Sequence, residues 1–197
     1  MAKKSQDLIL RDRLEFTLDA AGDLAVVYGR VDLSDFVSTT KNQGLSIKEV
    51  RFQLRDPAVP NTGSMQGAVC NDAVLTAGGQ DFGVIKMFAS TTAYERGSDV
   101  GIASPNVLCV VEKKTTFMVQ GAGPAENAFW NEYFQYGTPD LHPDGYTVVT
   151  DLLIGVCAES ANLYANKRLE LDIMLIAEEV KVTKDELNEM LIQAQDL

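Results

Sequence analysis

The sequence predicts an all-β fold, a sandwich or jelly roll of about eight strands, in a single domain over 1–197 with a short C-terminal helix. Three observations predict it. Apolar and polar residues alternate with period two along several short segments, the pattern of strands with one buried face. Clusters of Gly, Pro, Asn and Asp punctuate those segments at short intervals. No strand–helix–strand alternation of a parallel α/β sheet appears, and no repeat of fixed period.

Leu14-Glu-Phe16-Thr-Leu18 alternates cleanly, Asp19–Asp23 reads as a turn, and Leu24–Tyr28 continues the alternation through Val31 and Leu33. The two segments are expected to form a hairpin. Leu45-Ser-Ile47 and Val50-Arg-Phe52-Gln-Leu54 alternate with a slip of phase at Lys48-Glu49. A bulge there returns every apolar side chain to one face. Asp56-Pro57 opens a loop rich in Pro and Gly that runs to Asn71. Short strands follow at Ala73–Ala77 and Gly83–Ala89, then a polar stretch from Ser90 to Asn106, then strands at Val107–Val111 and Thr115–Val119. Tyr146–Val149 and Leu152–Ala158 read as one long strand bent near Asp151. Leu169–Leu175 alternates and runs on towards Val182.

Two segments read as helix. Thr183-Lys-Asp-Glu186 has the form of a capping box, and Leu187, Met190, Leu191 and Ala194 fall on one helical face, which makes 183–197 a terminal helix. Pro124–Tyr136 has Pro at a first helical position and Gly137 beyond its end, so the insertion near 120–145 is expected to contain a helix. That helix would carry Phe129, Trp130, Tyr133, Phe134 and Tyr136, too aromatic a set to be wholly solvated.

Composition narrows the chemistry. Twenty-eight acids against 17 bases give a net charge of −11, which argues against nucleic acid as a direct partner. The opening Lys3-Lys4 is too short for a packaging arm. Charge is uneven: residues 1–55 hold nine bases and eight acids, while 56–150 and 151–197 each hold four and ten. A basic-leaning front could meet an acidic back between copies of the chain, or the two could neutralise each other within one chain. Three cysteines at wide spacing form no CxxC pair; Cys109 and Cys157 read as small core hydrophobes, and synthesis in a reducing cytoplasm is expected.

No catalytic, cofactor or metal constellation emerges. The lone His142 sits between Asp140 and Asp144, where a carboxylate could orient it as a base, yet two prolines and two glycines in nine residues describe a surface turn. Gly121-Ala-Gly123-Pro124 lacks the further glycines and the Lys of a phosphate loop. Glu178-Glu179 and Asp185-Glu186 lack the pattern of a calcium loop. The sequence therefore points to a non-enzymatic protein acting through its surfaces. The aromatic segment could serve the core, a subunit contact, or a carbohydrate platform around Trp130.

The succession Leu14–Leu18, Leu24–Leu33, Leu45–Leu54, a long variable middle, Tyr146–Ala158 and Leu169–Val182 resembles single jelly-roll capsid proteins of tailless icosahedral viruses, some of which enclose a membrane. The resemblance lies in strand order, size and loop style and covers most of the chain. It implies two four-stranded sheets face to face and a coat subunit made in the host cytoplasm and carried in the virion. It also implies homo-oligomeric assembly, with other virion proteins or an internal membrane, rather than the genome, as neighbours. The segments it assigns to subunit contacts are the aromatic cluster Phe129, Trp130, Tyr133, Phe134 and Tyr136 and the helix face Leu187, Met190 and Leu191.

Overall fold

A computed structural model describes residues 7–65, 67–70, 80–119, 127–136 and 145–193. Its nine strands are β1 (Leu8–Thr17), β2 (Leu24–Val31), β3 (Gln43–Arg55), β4 (Gln80–Ser90), β5 (Val107–Val119), β6 (Asn127–Tyr136), β7 (Tyr146–Val148), β8 (Leu152–Glu159) and β9 (Arg168–Lys181). The helix α1 (Lys184–Gln193) follows. A four-stranded sheet has the order β1-β9-β3-β7 and a five-stranded sheet the order β2-β8-β4-β5-β6, all pairs antiparallel. With β6 set aside, the chain pairs first strand with last, second with second-last, and so inward to β4 with β5. That is the jelly roll, one long hairpin wound over itself into two packed sheets.

The core lies between the sheets. Phe16, Leu45, Ile47, Val50, Leu169, Leu171 and Leu175 from the first sheet meet Ile85, Met87, Val111, Leu152, Ile154 and Val156 from the second. The expected bulge in β3 is present: pairing with β9 shifts between Ile47 and Glu49, and Leu45, Ile47 and Val50 are all buried. Lys48, the extra residue, points out and bridges Asp7 (2.8 Å) and Glu178 (2.6 Å).

Four expectations need correction. β1 and β2 do not form a hairpin, since β1 pairs with β9 and β2 with β8 in the opposite sheet. The turn between them is real: the Asp19 carboxylate accepts the amides of Ala21 and Asp23, each at 2.8 Å. It carries the chain across the sandwich edge and is tied to the β8–β9 corner by Ala161 N–Gly22 O (3.0 Å) and Asn166 N–Asp19 O (3.0 Å). Likewise Tyr146–Val148 and Leu152–Glu159 are two strands in opposite sheets, with the crossing at 149–151. Val107–Val119 is one strand, because Glu112, Lys113 and Lys114 continue the ladder with β4. The largest correction is β6. Residues 127–136 form a strand paired with β5 at every position from Val119↔Asn127 to Val110↔Tyr136. Aromatic side chains suit a pleated surface, and a long free edge of β5 satisfies the backbone without a helix. The strand expected at Ala73–Ala77 lies outside the described residues.

The capping box at α1 forms as expected, with Thr183 N to Glu186 Oε2 at 2.8 Å and Glu186 N to Thr183 Oγ1 at 3.3 Å. Leu187 is buried against Val149 and Val182, with Met190, Leu191 and Val37 around it. Ala194 lies outside the described residues.

Candidate functional site

Among the described residues the second sheet has one strand more than the first, and that strand is β6. Register alternation puts Asn131, Tyr133 and Gln135 on the side of Thr115, Lys113 and Val111, the side that faces the first sheet in the rest of the sandwich, and Phe129 is in register with Phe117. Over β6 the first sheet has run out, because its last strand is the three-residue β7. Tyr133 is accordingly 52% exposed, and Asn131 and Gln135 are exposed as well. The overhang is anchored on its β5 side, where Thr115 Oγ1 lies 3.1 Å from Asn131 Oδ1 and accepts the Val69 amide at 2.9 Å. Burial holds the Lys113 ammonium below the ordinary lysine value and pushes the Tyr133 phenol above its own.

Glu132 and Phe134 fall on the opposite side, beside Lys114 and Glu112, while the ladder sets Trp130 in register with Thr116 and Tyr136 with Val110. The strand therefore parts aromatics that a helix would have gathered, with Tyr133 and Phe134 on opposite faces. The other proposed contact residues sit apart from them. Leu187 is 4% exposed and serves the chain's own core, Met190 and Leu191 pack beside it, and only Ile192 on that helix is a large exposed apolar residue.

Two surface features escaped the sequence. On the outer face of the second sheet, residues 91–106 lie over Phe88 and Val110, with Val100 of that segment packed between them. Lys86 Nζ clamps that loop, donating to the carbonyls of Gly97 and Val100 (3.2 Å each) while pairing with Glu112 at 3.2 Å. Beside the clamp opens a cleft of about 650 Å³, lined among others by Phe82, Glu95, Arg96, Lys114, Cys157 and Glu159.

The outer face of the first sheet holds five of the seven arginines: Arg11, Arg13, Arg51, Arg55 and Arg168. Acids of strand β9 pair with two of them: Arg13 meets Asp172 at 2.6 Å and Glu170 at 3.3 Å, and Arg55 meets the same two at 3.5 and 3.4 Å. Arg168 pairs with Glu15 and Arg51 with Glu49. Arginines at 51 and 55 in step with the polar positions of β3 were the available signal for this face; their partners across β9 were not visible.

His142, Asp140, Asp144 and Gly121–Pro124 lie outside the described residues. Glu178 is occupied by Lys48, and Glu186 by the helix cap, which holds its carboxyl below the ordinary range. Cys109 is buried as expected, its thiol pushed up to about 12 by burial, while Cys157 is half-buried beneath Gly97. Among the described residues no group of three or more His, Cys, Asp or Glu is placed to hold a metal ion, and no helix is long and apolar enough to cross a membrane.

No protein-family model matches the sequence, and no curated protein matches it. Among solved structures the chain is similar to Merkel cell polyomavirus VP1 in complex with disialyllactose, at 10% identity over 92% of this chain and 97% of that one, with a TM-score of 0.35. It is also similar to the unassembled pentamer of the same VP1 (10% identity, 93% and 98% coverage, TM-score 0.31) and to the virus-like particle (9%, 90% and 76%, 0.32). At these values the likeness adds nothing to the strand order, from which the jelly roll is read directly.

Proposed function

We propose that this chain is a structural, self-assembling shell subunit: a viral coat protein that works through repeated contacts between copies. The observation that carries the reading is the fifth strand β6. It extends the sheet past its partner and leaves an inward-type surface, with Tyr133 half-exposed, that among the described residues only the segment 67–70 flanks, at Thr115 and Asn131. A monomer has no use for such an overhang, whereas a tiled assembly covers it with the neighbouring subunit. The acidic balance sets the expected environment, with other virion proteins or a lipid layer as neighbours rather than bare genome.

Size-exclusion chromatography with light scattering, followed by negative-stain microscopy, tests the reading. Rings, capsomers or closed shells are expected as concentration rises. A strictly monomeric chain at high concentration, across salt and divalent-ion conditions, refutes it. The exposed ring of Tyr133 also keeps a carbohydrate-binding reading open to test. Glycan binding by the monomer that disappears in Trp130→Ala or Tyr133→Ala, with the fold retained, would favour that module over a shell.

A further inference from the structure

Resting on the assembly reading, the geometry points to a specific junction: two copies join edge to edge through β6, antiparallel, into one continuous sheet. Sheet edges present unpaired backbone donors and acceptors, and soluble proteins guard them with charge, bulges, proline or brevity. Three of the four edges here are guarded. β1 carries Arg11-Asp12-Arg13, β2 has a register shift between Leu24 and Val27 and ends in Arg30-Val31, and β7 is three residues long. β6 has none of these devices. It runs ten residues in unbroken register with β5, contains no proline or glycine, and holds one charge, Glu132. Among the described residues no strand pairs with its outer edge.

Charge indicates a second copy as the occupant. A chain at −11 repels its own kind over most of its surface, and that repulsion acts over roughly 8–10 Å at physiological salt. Along β6 the lone Glu132 stands opposite Lys114 in the ladder, so this edge is locally neutral. Two identical edges can approach there at little electrostatic cost. A two-fold axis normal to the sheet sets each residue opposite one of like parity. Centring on Glu132 would put two carboxylates face to face. Centring on Asn131 instead sets Phe129 against Tyr133 and Trp130 against Glu132.

The area sets the strength. Ten residues span about 33 Å, and an edge about 10 Å deep gives a footprint of roughly 330 Å² a side. A specific standalone interface takes about 800 Å² per partner. The junction is therefore weak alone and becomes effective when a closed assembly engages several contacts at once.

Hydrogen–deuterium exchange on the full chain, in monomeric and assembled fractions, tests this directly. Alternate β6 amides, those not bonded to β5, should slow on assembly while β1 and β2 edge amides do not. Tyr133→Lys should raise the concentration needed for assembly by about tenfold, because lysine guards an edge. Ile9→Lys, on the guarded β1 edge at the same 52% exposure, should leave that concentration unchanged. Assembly with unaltered β6 exchange, or equal effects of the two lysines, overturns the β6 junction and leaves self-assembly standing. No assembly under any condition overturns both. The exchange measurement uses the unsubstituted chain, so it decides the matter even if Tyr133→Lys folds poorly.

Discussion

Gly155 lies in the middle of β8, where the ladders place it between Tyr28 of β2 and Phe88 of β4. The Phe88 ring lies across the glycine, fully buried, and meets the Tyr28 ring edge-on at 5.8 Å and 87°. A Cβ at Gly155 would stand 2.5 Å from both Cε atoms of that ring and closer still to Cζ. The ring is buried among Val100 and Val110, so it can give way only by disturbing that cluster. Gly155→Ala should therefore displace the ring. Overpacking costs about 1–3 kcal/mol, and the lost aromatic pair about 0.5–1.5 kcal/mol more. Replacing glycine in a strand returns roughly 0.5–1 kcal/mol through lost unfolded-state freedom. The net is a destabilisation of about 0.5–4 kcal/mol, centred on about 2, read as a lower urea midpoint at unchanged m-value or a melting point down by roughly 4–8 °C at that centre. The double variant Gly155→Ala/Phe88→Leu should recover part of the loss, since leucine puts no ring over the new methyl. The sign makes the test sharp, because strand propensity alone predicts that Gly155→Ala stabilises. A neutral or stabilised variant would refute the ring-over-glycine account.

Three further outcomes follow from the same structure. Lys86→Met should free residues 91–106, accelerating tryptic cleavage after Arg96 severalfold and costing about 1–3 kcal/mol for hydrogen bonds to a charged donor; an unchanged cleavage rate would show that the loop is held by other means. Thr183→Ala should cost about 1 kcal/mol at neutral pH. Glu186 has its folded carboxyl below the ordinary 4.5, so its contribution is present above that value and lost as pH falls through the folded one. The gap between wild type and Thr183→Ala, followed by thermal melts, should narrow in acid, and a pH-independent gap would contradict the reciprocal cap. Deleting Lys48 should leave a folded chain, because removing the bulge residue restores plain alternation along β3, whereas deleting Arg51 should turn Phe52 and Leu54 outward and abolish the cooperative melt.

Features written within a few residues were legible in advance. The β3 bulge showed as a slip of phase, and the cap of α1 as a four-residue motif whose two hydrogen bonds close on themselves. What failed depended on partners far along the chain. Asp19 makes the same turn whether the next strand returns beside β1 or crosses to the other sheet, and the contacts that decide it come from residues 160–167. Aromatic residues at 129, 130, 133, 134 and 136 fit a helical face as well as a strand. The choice fell to the free edge of β5, which no local pattern records. The same blindness hid the overhang, because the number of strands in each sheet is a property of pairing and not of any segment.

The uneven charge along the chain left two readings open, and the arginine face separates them. Four of its five arginines are engaged within the same sheet, on Glu170, Asp172, Glu15 or Glu49, so the basic front is neutralised inside one chain. Little of that charge remains to attract the acidic surface of a neighbour. Assembly held by complementary charge weakens as salt is added. Assembly through a neutral edge in a chain of −11 strengthens instead, because salt screens the repulsion between the rest of the two surfaces. Light scattering at fixed protein concentration, from low to physiological ionic strength, should therefore show assembly rising. A monotonic fall would return the arginine face to the centre of the contact and remove the electrostatic ground for pairing through β6.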